Sequence, residues 1–147
     1  QDRVRRIRKR GLLQASYIRP SSLEKIFAIG LQQPYSTNVW MHINLFGKLR
    51  KCEVDLKIEL KDRKFAVLID GETFHGKDSY FGAKRYKEDL EITKVLAGMG
   101  YFTVRYSETE VMSGWARKHF DNLYRKFLKK VPTYYYRNWM TSDECIK

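Results

Sequence analysis

Several carboxylates and one histidine lie near the ends of apolar segments, in a pattern typical of metal-dependent hydrolysis. Asp55 falls in a strand-like segment, Asp70 directly follows a short apolar run, and Asp89 precedes a helical stripe. Clustered carboxylates repel one another unless a cation holds them, and their hard oxygens suit Mg²⁺ or Mn²⁺. Such an ion would polarise a scissile phosphate, while a histidine could deprotonate the attacking water. The candidate residues are Glu24, Asp55, Asp70, Glu72, His75 and Asp89.

Strands are predicted to position the first of these carboxylates. Between residues 52 and 60, apolar side chains alternate with Asp55, Lys57 and Glu59, which indicates a half-buried strand. Residues 65–69 are continuously apolar, as expected for a central strand covered on both faces. Residues 38–45 are rich in aromatic and β-branched side chains and predict an earlier strand. Asp70 is therefore expected where the central strand ends.

Helices are predicted before and after these strands. Ser21 and Glu24 have the spacing of a capping box that begins the first helix. Asp89 lies three residues before Ile92 in a second helix that ends at Gly100, so it shares the inward face. A strand over residues 102–106, parallel to the central one, and a helix over residues 115–130 follow. The pattern predicts an α/β protein with a central mixed sheet flanked by helices.

Size and composition indicate one domain with basic ends. The chain has 147 residues, of which 43% are hydrophobic, and no apolar run has the roughly 18 residues of a membrane span. Cys52 and Cys145 are too far apart in sequence to suggest a zinc site or a disulfide framework, which fits an intracellular, reducing compartment. We divide the chain into a basic arm at residues 1–19, a domain at residues 20–131 and an aromatic, basic tail at residues 132–147.

Positive charge is concentrated at both ends of the chain. Residues 1–20 hold seven Arg or Lys against Asp2, and residues 115–147 hold eight against three acids, so little of the net charge of +12 comes from the middle. Concentrated cations favour a polyanion through counterion release, whereas the apolar stripe of a membrane-surface helix is lacking. A solvated, idle surface would explain one such end better than both. The expected nucleic-acid contacts are Arg5, Arg6, Arg8, Lys9, Arg10, Arg117, Lys118, Arg125, Lys126, Lys129 and Lys130.

Residues 69–76, Ile-Asp-Gly-Glu-Thr-Phe-His-Gly, resemble the strand-end motif of very-short-patch-repair endonucleases and their homing-endonuclease relatives. In that motif a glycine precedes an aromatic residue followed by histidine, as in Phe74-His75 here. The resemblance covers about residues 20–112 and depends on joint occurrence, because each motif alone is weak. The other matching positions, in the same order as in the family, are Glu24, Asp55, Asp89, Gly100, Tyr101, Val104, Arg105, Tyr106, Glu108 and Glu110.

The resemblance implies a restriction-endonuclease-like fold and a Mg²⁺- or Mn²⁺-dependent DNA endonuclease. By analogy, Asp55 and the backbone carbonyl of Ile69 would bind the metal, and His75 would be the general base. Asp89 would orient His75 or a water, and Glu24 would hold waters on the metal. The repair enzymes also carry a structural zinc, whose Cys and His ligands are missing here. This favours the homing or mobile-element branch over repair of T·G mismatches.

Two departures from the family keep other functions open. Asp70 stands where the mismatch-repair members have a second histidine, and it remains a candidate metal ligand. Leu68 stands where many relatives have a glutamate. The main alternative is a catalytically inactive RNA-binding module that resembles the RAP domain of organellar RNA-processing proteins, and a structural ribonucleoprotein component is a third. We favour DNA over RNA, in the cytoplasm or nucleoid; the RNA-binding alternative would place the chain in an organellar matrix. The sequence does not predict an oligomeric state.

Some of these features have simpler explanations. A capping box alone would account for Glu24. His42 and His119 lack an acidic context and are predicted to be structural. Glu59 and Lys61 imitate the E-x-K motif of restriction enzymes, but Glu59 shares a strand with Asp55, so we interpret this match as chance. The aromatic residues at 134–139 could stack on bases or pack on the domain itself.

Overall fold

The described residues build a mixed sheet of six strands, which stand in the sheet in the same order as along the chain. The structure is a computed structural model that describes residues 20–71, 82–141 and 143–147. Its elements are α1 Pro20–Ala28, β1 Tyr35–Leu45, β2 Lys48–Glu59, β3 Lys64–Asp70, α2 Gly82–Gly98, β4 Tyr101–Ser107, α3 Glu108–Met112, α4 Trp115–Lys129, β5 Tyr135–Asn138 and β6 Asp143–Ile146.

Strand directions follow from the connections. Strands β1, β2 and β3 pair antiparallel, β4 is parallel to both β3 and β5, and β6 returns antiparallel to β5. Parallel neighbours need a crossover, which α2 provides between β3 and β4 and which α3 and α4 provide between β4 and β5. The predicted α/β class, with a mixed sheet flanked by helices, is confirmed.

Two hydrophobic clusters cover the two faces of the sheet. On β3, Phe65, Val67 and Ile69 belong to the larger cluster, which contains side chains of α1, α3 and α4. The alternate residues Ala66 and Leu68 belong to a smaller cluster with α2. Because side chains alternate along a strand, the clusters lie on opposite faces, and β3 is covered on both, as its continuous apolar run predicts.

Strands β1 and β2 form a two-stranded ribbon. The side chains of β2 that pack in the core lie on one face of the sheet before Asp55 and on the other face after it. Cα pairing between the two strands is continuous from Tyr35 with Ile58 to Leu45 with Lys48, except at Asn38 and Asp55. Asn38 has a positive φ of 51°, which asparagine tolerates better than most residues. On either side of Asp55, Val54 packs in the α2 cluster and Leu56 packs in the opposite one. The part of the ribbon between Asp55 and the hairpin tip therefore lies over α2.

The start of α1 differs from the prediction. The helix begins at Pro20, so Ser21 lies inside it and the predicted capping box is wrong. Proline suits a first helical turn because it has no N–H to leave unbonded there. The end of α2 agrees with the prediction, since Gly100 follows the helix with a φ of 96°. The burial of Glu24 consequently needs an explanation other than capping.

The segment that the sequence suggests is a tail completes the sheet. Tyr135 and Asn138 of β5 are fully buried, and the Tyr135 ring meets Phe127 of α4 edge to face at 5.1 Å between centroids. His119 hydrogen-bonds to the hydroxyl of Tyr106 and to Glu144 of β6, so its predicted structural role agrees with its contacts. Strands β5 and β6 thus belong to the folded unit.

We predict that Tyr135→Ala destabilises the protein by about 3 kcal/mol or more, because removing a fully buried ring leaves a cavity beneath α4. Tyr136→Ala, at the half-buried neighbouring position, is the control and should have a clearly smaller effect. Urea unfolding of both variants measures the difference. Equal effects would contradict the placement of β5 in the sheet.

Candidate functional site

Glu24 of α1 and Asp55 of β2 meet where the sheet is interrupted; we call these two residues the acid pair. Glu24 is buried with 5% of its surface exposed, and Asp55 is half-buried. Each carboxyl group acts on the pKa of the other. Oδ2 of Asp55 also accepts the backbone N–H of Ile69 at 2.7 Å, just beyond the last paired residues of β2 and β3. The Asp55 side chain thus continues the hydrogen bonding between β2 and β3 beyond their last backbone pair.

The surroundings of the acid pair favour its protonated form. Burial is the main cause that raises the pKa of Asp55 to about 8; the Ile69 N–H opposes this rise and the neighbouring Glu24 adds to it. Burial likewise raises the pKa of Glu24. Among the described residues, neither carboxylate forms an ion pair with a basic side chain. Two adjacent carboxylates cannot both ionise cheaply under these conditions.

Asn38 and Glu53 extend the acid pair, and neither was among the residues predicted for the site. The amide of Asn38 donates to Oε1 of Glu24 and to Oε2 of Glu53, both at 3.0 Å. Glu53 also contributes to the raised pKa of Glu24. The sequence held one signal for Glu53: it precedes Asp55 by two residues in a strand, so both should share a side of a regular strand. For Asn38 it held none, because the contact depends on the pairing with β2.

Asp70 lies in a separate, buried ion pair. Both of its oxygens are 2.8 Å from Nη1 of Arg105, and Nε1 of Trp139 donates to Oδ2 at 3.0 Å. Nε of Arg105 donates to the hydroxyl of Thr93 on α2 at 2.9 Å. Arg105 and Asp70 are each 3% exposed. These bonds fix the end of β3 to β4, α2 and the chain after β5, and they occupy a carboxylate that was a candidate metal ligand.

Asp89 is buried on α2, as the helical stripe predicts. Its side chain lies 3.9 Å from Nε of Arg85, and its carbonyl accepts the Thr93 hydroxyl at 3.0 Å. Its charge also acts on Arg105, which connects it to the Asp70 ion pair. Within the part of the chain that the structure describes, no three His, Cys, Asp or Glu side chains form a group able to hold a metal.

Several predicted site residues lie outside the described residues. Glu72 and His75 fall in residues 72–81, so the role of His75 as general base stays a prediction. Within residues 1–19 the same holds for the expected nucleic-acid contacts Arg5, Arg6, Arg8, Lys9 and Arg10.

The predicted basic face of α4 is largely available to solvent. Lys118, Arg125, Lys126, Lys129 and Lys130 are exposed. Arg117 differs, because it pairs with Asp121 at 3.0 Å and donates to the backbone carbonyls of Phe27, at 2.9 Å, and Ile29. These bonds hold the end of α1, the helix that carries Glu24. We therefore interpret Arg117 as a residue that positions α1 rather than as a nucleic-acid contact.

Glu110, in the acidic turn after β4, has a structural role. It forms the capping box of α3 with Ser107 and a bidentate ion pair with Arg137 of β5, with bonds of 2.7 and 2.6 Å. Arg137 also lies over the Trp115 ring at 4.8 Å. The turn therefore joins β4 to β5, and its carboxylate is paired.

Comparisons of the chain with protein-family models, curated proteins and solved structures found no significant match. The resemblance to very-short-patch-repair endonucleases thus stays a prediction from the quoted motifs. None of the described helices is long and apolar enough to cross a membrane.

We expect Arg105→Met to cost about 3–5 kcal/mol of stability, because it would leave the buried Asp70 carboxylate without its cation. The double variant Asp70→Asn with Arg105→Met should recover a large part of that loss, since both charges are removed. A double-mutant cycle by urea unfolding measures the coupling. Additive effects of the two substitutions would show that the ion pair does not hold the end of β3.

The acid pair should make folding stability fall as pH rises. The pKa of Asp55 is raised from 3.8 to about 8, so the folded state binds this proton more tightly than the unfolded state. Its contribution is fully present below pH 3.8 and is lost as pH rises through about 8. Between pH 5 and 8.5 the wild type should lose on the order of 2–4 kcal/mol more than Asp55→Asn, which cannot titrate. Chemical denaturation at the two pH values measures this; parallel pH profiles would contradict the shared proton.

Proposed function

We propose that this chain is a divalent-metal-dependent endonuclease, with Glu24 and Asp55 as the carboxylates that bind the metal. One observation carries the proposal: two neighbouring acids, one buried and one half-buried, have no basic partner among the described residues. A helix, three antiparallel strands and a crossover to a parallel strand agree with the restriction-endonuclease-like fold that the sequence resemblance implies. That fold belongs to the same proposal.

The donor set fits Mg²⁺ or Mn²⁺. Mg²⁺ is commonly bound by one or two carboxylates while it keeps several waters, so the acid pair is sufficient on the protein side. A divalent ion would replace the proton that the pair otherwise needs. The carbonyl of Ile69 is a further ligand by the resemblance. When bound, the ion supplies positive charge that polarises the phosphate and stabilises the leaving oxygen.

The surrounding residues orient the two carboxylates in advance. The Ile69 N–H fixes one oxygen of Asp55, and the amide of Asn38 fixes one oxygen of Glu24. Asp70 is already bound by Arg105 and Trp139, so we leave it out of the metal site. Its ion pair instead anchors the strand end from which the chain continues to His75, for which we propose the role of general base.

We propose nucleic acid as the substrate, and DNA before RNA. The helix α4 packs on the same face of the sheet as α1, which carries Glu24. Its exposed cations would therefore hold a phosphate backbone on the side of the acid pair, through sequence-independent contacts. The choice of DNA follows from the family resemblance.

The position of Leu68 favours a second candidate, an RNA-binding module without catalysis. Leu68 is 3% exposed and packs in the α2 cluster, where many relatives of the resembled family carry a glutamate. In this case the acid pair has only a structural role, and the basic surfaces bind RNA. Tight RNA binding that EDTA leaves unchanged, without cleavage of RNA or DNA, would decide for this candidate.

With Mg²⁺ present, the protein should nick or cut plasmid DNA, and EDTA should prevent it. Asp55→Asn should abolish cleavage because it removes a metal-binding charge, and His75→Ala should reduce it by about 10²–10⁴-fold as expected for a lost general base. Asp62→Asn is the matched control, since Asp62 is an exposed carboxylate that pairs with Arg63. Gel separation of supercoiled, nicked and linear plasmid gives the rates. Undiminished cleavage by Asp55→Asn would contradict the proposal.

A further inference from the structure

A groove lies between the tip of the β1–β2 hairpin and the adjoining side of α2; we call it the hairpin groove. It has a volume of about 550 Å³. Lys48 and Arg50 line it from β2, and Lys84, Lys87 and Lys94 line it from α2. On α2 these lysines are three and seven residues apart, a spacing that keeps them near one side of the helix. The groove exists because the ribbon changes face at Asp55 and carries its tip over α2.

The hairpin groove concentrates positive charge that the described residues do not neutralise. Its five cations are exposed, against the two acids Glu88 and Glu91 in the same lining. Within the described part of the chain, none of the five forms an ion pair. The middle of the chain contributes little net charge, so this local excess is produced by folding. Such a concentration of cations rewards a polyanion through counterion release.

An aromatic ring stands at the groove in an unfavourable backbone conformation. Phe46 lines the groove and is 64% exposed. With Gly47 it forms the two-residue connection of the hairpin, and both residues have positive φ, 51° and 82°. Such turns favour Asn-Gly, and a bulky side chain at positive φ is strained. Asparagine would therefore suit the turn better than phenylalanine at position 46, and the turn itself does not account for the exposed ring.

We propose that the hairpin groove binds single-stranded nucleic acid, with its cations on the phosphates and a base stacked on Phe46. A basic groove with an exposed aromatic side chain is how proteins hold single strands without sequence preference. A duplex would engage the cations but not the ring, because its base faces are already stacked. The proposal does not rest on hydrolysis at the acid pair, which lies at the interruption in β2 and not at the hairpin tip.

The stacking is tested by binding of dye-labelled oligonucleotides of about 20 nucleotides to the full chain in EDTA, read as fluorescence anisotropy. Phe46→Asn removes the ring while suiting the turn and should weaken single-strand binding about tenfold, whereas Phe46→Tyr should bind like the wild type. Leu49→Asn is the matched control: Leu49 is 72% exposed on the same hairpin and does not line the groove. Equal weakening by Phe46→Asn and Leu49→Asn would overturn the proposal.

The phosphate contacts are tested by salt dependence. Arg50→Gln should lower the slope of log affinity against log salt by about 0.7, the loss of one phosphate contact on a single strand. Lys51→Gln removes the same charge from the adjacent residue, which does not line the groove, and should leave the slope unchanged. Equal slopes for the two variants would overturn the proposal. So would an equal loss of duplex and of single-strand affinity in Phe46→Asn, or equal competition by a glutamate-rich peptide.

Discussion

The hydrogen bond from the Ile69 N–H to the carboxyl of Asp55 organises both regions for which we propose a function. It takes the place of a backbone acceptor where pairing between β2 and β3 ends. In a regular strand, residues two positions apart lie on the same face of the sheet. In β2, by contrast, Val54 packs on one face and Leu56 packs on the other. The interruption brings Asp55 against Glu24 and sends the hairpin toward α2. The acid pair and the hairpin groove therefore have a common structural origin.

Charge pairing separates structural acids from the pair that we connect with function. Asp70 and Glu110 are buried or half-buried acids that each have an arginine partner, Arg105 and Arg137, and each pair ties neighbouring strands together. Glu24 and Asp55 are stabilised instead by a proton, an amide and a backbone N–H. Removing water from carboxylates is unfavourable unless a cation compensates. Of these four acids, Glu24 and Asp55 have no basic partner among the described residues.

Periodicity predicts much of this fold, and contacts between distant residues explain what it misses. Alternation identifies β2, a continuous apolar run identifies β3 as central, and helical spacing places Asp89 inward. The ion pair of Asp70 with Arg105 joins residues 35 positions apart, so no local pattern reveals it. The aromatic run at 134–139 fits a surface tail as well as a strand until the free edge of β4 is known. The hairpin groove could not be predicted from the net charge of chain segments, because its cations come from β2 and α2 and are brought together only by folding.

In the proposed site, the acid pair holds a proton that a divalent ion can replace. Carbon-13 NMR of the Glu24 and Asp55 carboxyl groups, recorded against pH with and without Mg²⁺, tests it most directly. We expect Asp55 to titrate near pH 8 without metal, and we expect Mg²⁺ to ionise both groups at neutral pH with a large shift in their signals. Ordinary titration of both carboxyls near pH 4, together with signals that Mg²⁺ leaves in place, would contradict it.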